Sequence, residues 1–178
     1  MRIPGMRKVT CLVVPVLVMS LAAACAARKG TGRGEVPPVV IGVIDFEADN
    51  MNLTEARKVT DGVLLALGRQ EGISVVQREE METIFREKGF RLPVPCDTND
   101  CISGVGKVLS AAMMVAGKVS RAGNFYHLEV RLINVATSRM VNHAFCDVRG
   151  IEDLLAGGVE SVVSDLVSGI GSGAAPAP

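Results

Sequence analysis

Aromatic side chains are scarce in this chain, which contains no tryptophan, one tyrosine and five phenylalanines among 178 residues. Proteins that bind single-stranded nucleic acids stack the bases on aromatic rings, so such a platform is not expected here. A duplex-binding protein needs a basic face, yet lysine plus arginine and aspartate plus glutamate both number 19. The composition therefore predicts that the chain has no nucleic-acid partner.

Long apolar runs are also lacking, apart from residues 9–24, which follow a basic, acid-free N-terminus. A membrane span needs roughly 18 or more apolar residues, and this run is shorter and is interrupted by Pro15. A basic start followed by a short apolar stretch that ends in small residues is typical of a cleaved secretory signal. We therefore predict a signal peptide at residues 1–24; the alternative is a retained signal anchor.

Cys25 follows the alanines at the end of this signal. A bacterial lipobox places a large aliphatic residue three positions before a cysteine, whereas here Leu21 lies four before Cys25 and Ala22 takes the usual place. The alternative is cleavage by ordinary signal peptidase after Ala24, because residues 22–24 form an A-x-A site. We favour lipidation of Cys25, since an unpaired cysteine at the mature N-terminus of an exported chain would be a reactive thiol without a use.

The rest of the chain divides by composition into a tether, one domain and a tail. Residues 25–37 are rich in glycine and charge, residues 38–168 carry periodic apolar patterns, and residues 169–178, all but one of them Gly, Ala, Ser or Pro, are predicted to be disordered. The tether reaches at most roughly 40 Å when fully stretched. We therefore predict a periplasmic domain of the cell envelope, held close to a membrane, the outer membrane being favoured, by a lipid on Cys25.

The apolar patterns predict an α/β fold with a single layered domain. Their order is β-α-β-α-α-β-β-β-α, which gives a mixed β-sheet of about five strands flanked by about four helices. The strands are expected at residues 39–46, 73–77, 112–119, 125–135 and 140–148, and the helices are expected to begin near residues 52, 78, 98 and 151.

Residues 125–135 alternate between apolar and polar side chains, which is typical of a strand with one face in water. The apolar set is Leu128, Val130 and Leu132. The exposed face offers Tyr126 or His127, depending on the register, together with Glu129 and Arg131. These side chains form either a solvated strand face or a docking surface for a partner, because polar groups on a rigid strand suit specific contacts.

No segment carries a complete catalytic or metal-binding motif. Residues 103–108 resemble a phosphate-binding loop, but Val108 replaces the Ser or Thr that would bind magnesium. Residues 45–50 resemble the start of a calcium loop, but Asn50 replaces the glycine required at its sixth position. We therefore expect no catalytic residues, no cofactor and no metal.

His127, His143 and Cys146 are the remaining candidates for a metal site or a Cys-His couple. With a three-residue turn, the last hairpin would pair Val130 with Cys146. The thiol would then point into the core while both histidines point outwards, so the three side chains would not converge on one site. We predict that Cys146 is a buried free cysteine.

Cys96 and Cys101 are five positions apart in a chain that is predicted to enter an oxidising compartment. A disulfide between them would pin the preceding loop to the start of the third helix. Zinc is the alternative ligand of this pair, but no second Cys/His pair has a suitable spacing. The disulfide is therefore the favoured interpretation.

Four blocks of the chain carry a family pattern: Val43-Ile44-Asp45-Phe46 and residues 73–81, 106–119 and 130–138. They resemble the CsgG/TolB N-terminal-like (LpoB-like) family of bacterial envelope lipoproteins. That group includes the curli-export lipoprotein and the lipoprotein activators of penicillin-binding proteins. The chain departs from the family's usual Thr-Gly hairpin turn, where it has Thr137-Ser138. The resemblance implies the family's fold over residues 38–168 and no catalytic residues.

The resemblance and the anchor together imply a non-enzymatic, lipid-anchored periplasmic accessory module that binds and acts on another cell-envelope protein. Self-association is left open, and the membrane contact is expected through the N-terminal lipid. The alternative is a subunit of a CsgG-like outer-membrane secretion assembly. Such a subunit needs additional membrane-spanning strands of about 9–11 residues, and the connections at residues 121–124 and 136–139 are too short to hold them.

Overall fold

A mixed sheet of six strands organises the part of the chain that the computed structural model describes, residues 37–170. The strands are β1 (Val39–Val43), β2 (Glu47–Asp49), β3 (Ile73–Val75), β4 (Met113–Ala122), β5 (Phe125–Asn134) and β6 (Arg139–Arg149). They are hydrogen-bonded in the order β3-β1-β4-β5-β6, with β2 paired to β4. β1 is parallel to β3 and β4, whereas β4, β5 and β6 are antiparallel. The predicted α/β class with a mixed sheet is confirmed.

Helices flank this sheet and begin close to the predicted positions. They are α1 (Leu53–Gly68), α2 (Arg78–Glu87), α3 (Asn99–Leu109), α4 (Ile151–Asp153) and α5 (Val159–Ser168), with a π-helical turn, Leu154–Gly158, between α4 and α5. Asn52 Oδ1 accepts a hydrogen bond from the backbone N–H of Glu55 at 2.8 Å, and Thr98 Oγ1 caps α3 in the same way. No helix within residues 37–170 is long and apolar enough to cross a membrane.

The predicted first strand, residues 39–46, is divided into β1 and β2. Ile44 and Phe46 are buried in hydrophobic clusters on opposite faces of the sheet. The backbone N–H of Phe46 donates to Thr60 Oγ1 at 3.2 Å instead of joining the strand ladder. Gly117 makes room for the Phe46 ring, because a Cβ atom at position 117 would lie 3.1 Å from it. The continuous apolar run therefore contains an interruption of the strand.

Two hydrophobic clusters cover opposite faces of the sheet. The first lies against α1 and α5 and includes Val63, Leu67, Leu128, Val130, Leu132, Val163 and Leu166. The second lies against α2 and α3 and includes Met81, Ile102, Val105, Met114 and Ile133. The alternation predicted for β5 is confirmed, because its exposed or half-buried positions alternate with buried ones from Phe125 to Leu132.

The hairpin of β5 and β6 has a four-residue turn, residues 135–138. Val130 pairs with Ala144. The predicted three-residue turn would have paired Val130 with Cys146, two residues further along β6. Because this difference amounts to two residues along the strand, the side chains from Asn142 to Val148 keep their predicted faces, whereas a register shift between Leu132 and Ile133 places Met140 opposite Ile133. Ser138 has a φ of 53°, a left-handed conformation that glycine adopts at lower cost.

The described chain begins and ends at the same end of the sheet. The N–H of Ala112 donates to the carbonyl of Val40, and the N–H of Val135 donates to the carbonyl of Ala112, which places the start of β1 beside the start of β4 and the end of β5. Asn142, close to the start of β6, donates through Nδ2 to the carbonyl of Leu166 in the last turn of α5. The β4–β5 turn lies at the opposite end.

Candidate functional site

The sheet face that carries the second cluster is covered only over part of β4, β5 and β6. The strands continue to pair past the region that α3 covers: Lys118 lies opposite Glu129, and Glu129 lies opposite Phe145. These three side chains share one face, because directly opposite residues of a sheet point to the same side. We name this uncovered surface the open face. Its side chains, all exposed or half-buried, are Lys118, Ser120, Phe125, His127, Glu129, Arg131, His143, Phe145, Asp147 and Arg149.

Phe145 lies near the centre of the open face and is 59% exposed. Its ring centroid lies 6.0 Å from that of His127 and 5.9 Å from that of His143. Phe125, at the end of the face, is 51% exposed. Phe145 is not among the surface residues predicted from the sequence, although it is adjacent to Ala144 in β6 and therefore belongs on the opposite, wet face.

The carboxylates of β5 and β6 on the open face are paired with the two histidines. His127 Nδ1 lies 2.8 Å from Asp147 Oδ1, and His143 Nε2 lies 3.3 Å from Glu129 Oε1. These contacts cross from one strand to the other, so they fix side-chain positions on both sides of Phe145. At the β2 margin, Lys118 Nζ lies 3.1 Å from an oxygen of Asp49.

Two arginines of the open face have other contacts. Arg131 Nη2 donates to the backbone carbonyl of Asp97 at 3.1 Å. The guanidinium carbon of Arg149 lies 5.1 Å from the centroid of the Phe125 ring, a cation–π arrangement. Within residues 37–170 neither guanidinium forms an ion pair with a carboxylate. Arg131 and Glu129 both lie on the face on which the sequence placed them.

The alternative that placed Tyr126 on the exposed face is wrong. Tyr126 is 5% exposed and belongs to the first hydrophobic cluster. The guanidinium carbon of Arg121 lies 5.5 Å from its ring centroid. Neighbouring residues of a strand point to opposite faces, so only one of Tyr126 and His127 can reach the open face, and that residue is His127.

Cys96 and Cys101 are joined by a disulfide, with an S–S distance of 1.96 Å. The bridge closes a short ring that contains Asp97, whose carbonyl oxygen accepts the hydrogen bond from Arg131. The disulfide-closed loop is therefore the margin of the open face. The sequence did not indicate this neighbourhood, because Asp97 and Arg131 are 34 positions apart.

Cys146 is free and half-buried, and it lies opposite Leu128 on the face that carries the first cluster. Burial raises the pKa of the Cys146 thiol, and the negative charge of Asp147 raises it further. A thiol that stays protonated is a poor nucleophile and a poor metal ligand. His127 and His143 lie on the opposite face, so the three side chains do not converge, as predicted.

The two incomplete motifs have structural explanations. Gly106 lies in α3, where a Cβ atom would approach Val135 Cγ2 to 2.4 Å, so the glycine serves close packing. Asp45, the first acid of the calcium-like segment, is bonded to Arg78, which also donates to Asp61 at 2.9 Å. Burial lowers the pKa of Arg78, but its hydrogen bonds to these two acids outweigh burial and raise it overall. Among residues 37–170, no three His, Cys, Asp or Glu side chains are grouped to hold a metal ion.

The predicted lipidation site, Cys25, lies outside the described residues. The same holds for the signal peptide and for nearly all of the predicted tether and tail.

The order of strands and helices defines an LpoB-like α/β fold. The C-terminal domain of LpoB from Escherichia coli is similar over 66% of this chain and 88% of that chain, with a TM-score of 0.52 and 18% identity. The corresponding domain from Salmonella enterica is similar over 66% and 87%, with a TM-score of 0.51 and 18% identity. Lipoprotein GNA1162 from Neisseria meningitidis is similar over 78% and 100%, with a TM-score of 0.54 and 14% identity.

Sequence comparisons alone do not place the chain in a family. No protein-family model matches it, and no curated protein sequence matches it. At the identities given above, the structural likeness establishes the fold alone. The wider CsgG/TolB N-terminal-like assignment stays a prediction from the four sequence blocks.

Proposed function

We propose that this chain is a lipid-anchored accessory module of the cell envelope that binds another envelope protein through the open face. The observation that carries the proposal is the exposure of Phe145 among paired polar groups on three long strands. Aromatic residues and arginine are enriched at the centres of protein interfaces. The open face presents both kinds of side chain on a rigid support.

A solvated strand face is the competing interpretation of the same surface. It accounts for Glu129 and His143, since exposed ion pairs are common and contribute little to stability. It does not account for Phe125 and Phe145, because an aromatic ring in water forgoes the free energy of burial. Edge strands such as β6 are usually protected against association by charged groups, whereas β6 exposes a phenylalanine at its middle.

The location of the module follows from the predicted export signal and from a lipid on Cys25. The likeness of the fold to LpoB domains and to a Neisseria lipoprotein supports an anchored periplasmic protein. The outer membrane is the anchoring membrane in this proposal. A tether of roughly 40 Å at full stretch keeps the partner's binding site close to the same membrane.

Photocrosslinking in cells tests the proposed function. A photoreactive amino acid in place of Phe145, in the full-length chain, is expected to give a crosslinked product with one other envelope protein. The matched control replaces Leu65, which is 61% exposed on α1 and thus on the opposite side of the sheet. A Phe145 yield no higher than the Leu65 background, or a product with the mass of two copies of this chain, would contradict the proposal.

A further inference from the structure

The two edges of the sheet differ in length. The edge strand β3 has three residues, whereas β6 at the other edge has eleven. An edge strand presents a row of unpaired backbone N–H and C=O groups, and a very short edge strand limits pairing with another chain. β3 is limited in this way and β6 is not. β6 is therefore the edge at which another strand can add.

The hydrogen bonds of the last hairpin determine which residues of β6 face this edge. The N–H of Gly150 donates to the carbonyl of Asn124, in the same register as the β5–β6 pairs. Along an antiparallel pair, residues alternate between those that bond to the neighbouring strand and those that do not. Val148, Cys146 and Ala144 lie at two-residue steps from Gly150, so their N–H and C=O groups are directed to β5.

The intervening residues His143, Phe145 and Asp147 direct their backbone groups to the free edge. The N–H of His143 donates to Asn142 Oδ1 at 2.9 Å rather than to β5, which agrees with this direction. The backbone groups of Phe145 and Asp147 have no hydrogen-bond partner among residues 37–170. The side chains of the same residues lie on the open face, so the free edge and the open face form one continuous surface.

We infer that an extended segment of the partner protein adds to β6 as a further strand, bonded to the backbone of Phe145 and Asp147. This inference rests on the proposed function and adds to it the manner in which the partner binds. In strand addition, main-chain hydrogen bonds supply the affinity, and alternate side chains of the added segment supply the specificity.

The two faces of β6 describe the side chains of the added segment. On the open face its neighbour is Phe145, which is 59% exposed. On the other face its neighbours are Cys146 and Val148, which are half-buried against the first cluster. Apolar side chains on both faces of the segment would remove this remaining apolar surface from water. The segment therefore carries consecutive apolar residues, and it has no proline where it bonds to β6.

The parts of this chain outside residues 37–170 do not have this composition. Residues 25–36 and 171–178 contain no aromatic residue, and Val36 is their only branched apolar residue. Pro176 and Pro178 interrupt the second of these segments. The added strand is therefore assigned to another chain.

The position of α5 favours a single extended segment over a second folded copy of this chain. The turn before α5 lies against β6, because a Cβ atom on Gly158 would be 3.2 Å from Cys146 Sγ. Asn142 donates to the carbonyl of Leu166 near the other end of the helix, so α5 follows β6 along one face. A second copy paired along β6 would bring its own α5 to the same face, whereas an extended segment brings no helix.

Photocrosslinking at successive edge positions tests the inference. A photoreactive amino acid is placed in turn at His143, Phe145 and Asp147 of the full-length chain in cells. Each step along β6 is about 6.6 Å, so the sites crosslinked on an added strand should shift by about two residues per step, in one direction. A helix lying along β6 would instead shift by about four residues per step, because its rise is about 1.5 Å per residue. Mass spectrometry of the crosslinked partner peptides measures the shift.

Two substitutions at Asp147 test the main-chain bond. Asp147→Pro and Asp147→Ala both remove the carboxylate, but only proline also removes the N–H that faces the edge. With the photoreactive residue at Phe145, Asp147→Pro is expected to lower the crosslinking yield at least about tenfold relative to Asp147→Ala, because strand addition depends on main-chain bonds. Proline is tolerated in an edge strand where its nitrogen faces away from the ladder. Circular dichroism of both variants checks the fold, and if the proline variant is unfolded, the crosslinking shift decides alone.

The outcomes separate this inference from the proposed function. Shifts of about four residues per step or in no fixed direction, or equal yields in the two folded Asp147 variants, overturn the inference and leave the proposed function standing. Absence of any Phe145 product, or a product with the mass of two copies of this chain, overturns both.

Discussion

At the scale of single residues, Gly106 illustrates how a packing requirement can imitate a ligand motif. It lies in α3 where the helix packs on the sheet, and a Cβ atom there would lie 2.4 Å from Val135 Cγ2 and 2.7 Å from Met114 Cγ. The glycines of a phosphate-binding loop serve a different purpose, because they let backbone N–H groups approach a ligand. A Cβ atom added to Gly104, in the same helix, would have no other atom within 4 Å.

This difference predicts opposite effects of the same substitution at two positions of one helix. Gly106→Ala is expected to lower the free energy of unfolding by about 1–3 kcal/mol, because overpacking displaces Val135 and Met114. Gly104→Ala should be neutral or raise it by up to about 1 kcal/mol, because alanine favours the helix. Urea unfolding of both variants measures the two values. Equal destabilisation at both positions would rule out the packing explanation.

At the scale of elements, the disulfide-closed loop is the connection between α3 and the open face. The bridge holds Cys96 beside the first turn of α3, and the carbonyl of Asp97 inside the ring receives the Arg131 side chain from β5. Loss of the bridge is therefore expected to affect both the stability of the domain and the margin of the binding surface.

Replacing both cysteines tests this connection. Cys96→Ser with Cys101→Ser is expected to lower the free energy of unfolding by about 2 kcal/mol, because the open chain gains entropy when unfolded. Urea unfolding with and without reductant measures the loss, and reductant should have no effect on the double variant. Mass spectrometry of alkylated, non-reduced peptides of the wild-type chain should find Cys146 modified and Cys96 and Cys101 protected. Alkylation of Cys96 and Cys101 in exported protein would show that the bridge is not formed.

The elements that the sequence predicted correctly depend on local patterns. The alternation of residues 126–132 was sufficient for β5 and its two faces, because the two-residue period of a strand is a property of neighbouring residues. The register of the hairpin was not predictable in the same way, since it depends on the turn that places Ser138 at positive φ. The interruption after β1 depends on Thr60 in α1, whose hydroxyl oxygen accepts a hydrogen bond from the backbone N–H of Phe46. No pattern of neighbouring residues indicates this contact.

The candidate site was predictable in part for the same reason. The two-residue period of β5 is sufficient to place Glu129 and Arg131 on the exposed face. The same period places Tyr126 with Leu128 and Val130 on the buried face. The exposure of Phe145 depends on how far α3 extends over the sheet, and this is a tertiary property. The contact of Arg131 with Asp97 joins distant parts of the chain, so no local pattern indicates it.

At the scale of the whole molecule, the proposed lipid anchor on Cys25 would decide where the open face can act. Cys25→Ser is expected to abolish labelling by palmitate and to release the chain from the membrane fraction, because stable attachment requires several acyl chains. Cys146→Ser is the matched control and should keep both properties, since this thiol is half-buried within the domain. Unchanged labelling of the Cys25 variant would exclude lipidation at this position.

The position of β1 has a mechanical consequence for a protein held at its N-terminus. The chain enters the domain at Val39 and continues directly into β1, which is bonded on both sides, to β3 and to β4. A force applied through the N-terminus while the open face holds a partner acts first on this strand. The hydrogen bonds on its two sides then bear the load together, because none can open without sliding the whole strand. Under the proposed function, tension between the anchor and a bound partner would thus act on a strand that is held on both sides, and the domain would resist unravelling from its first strand.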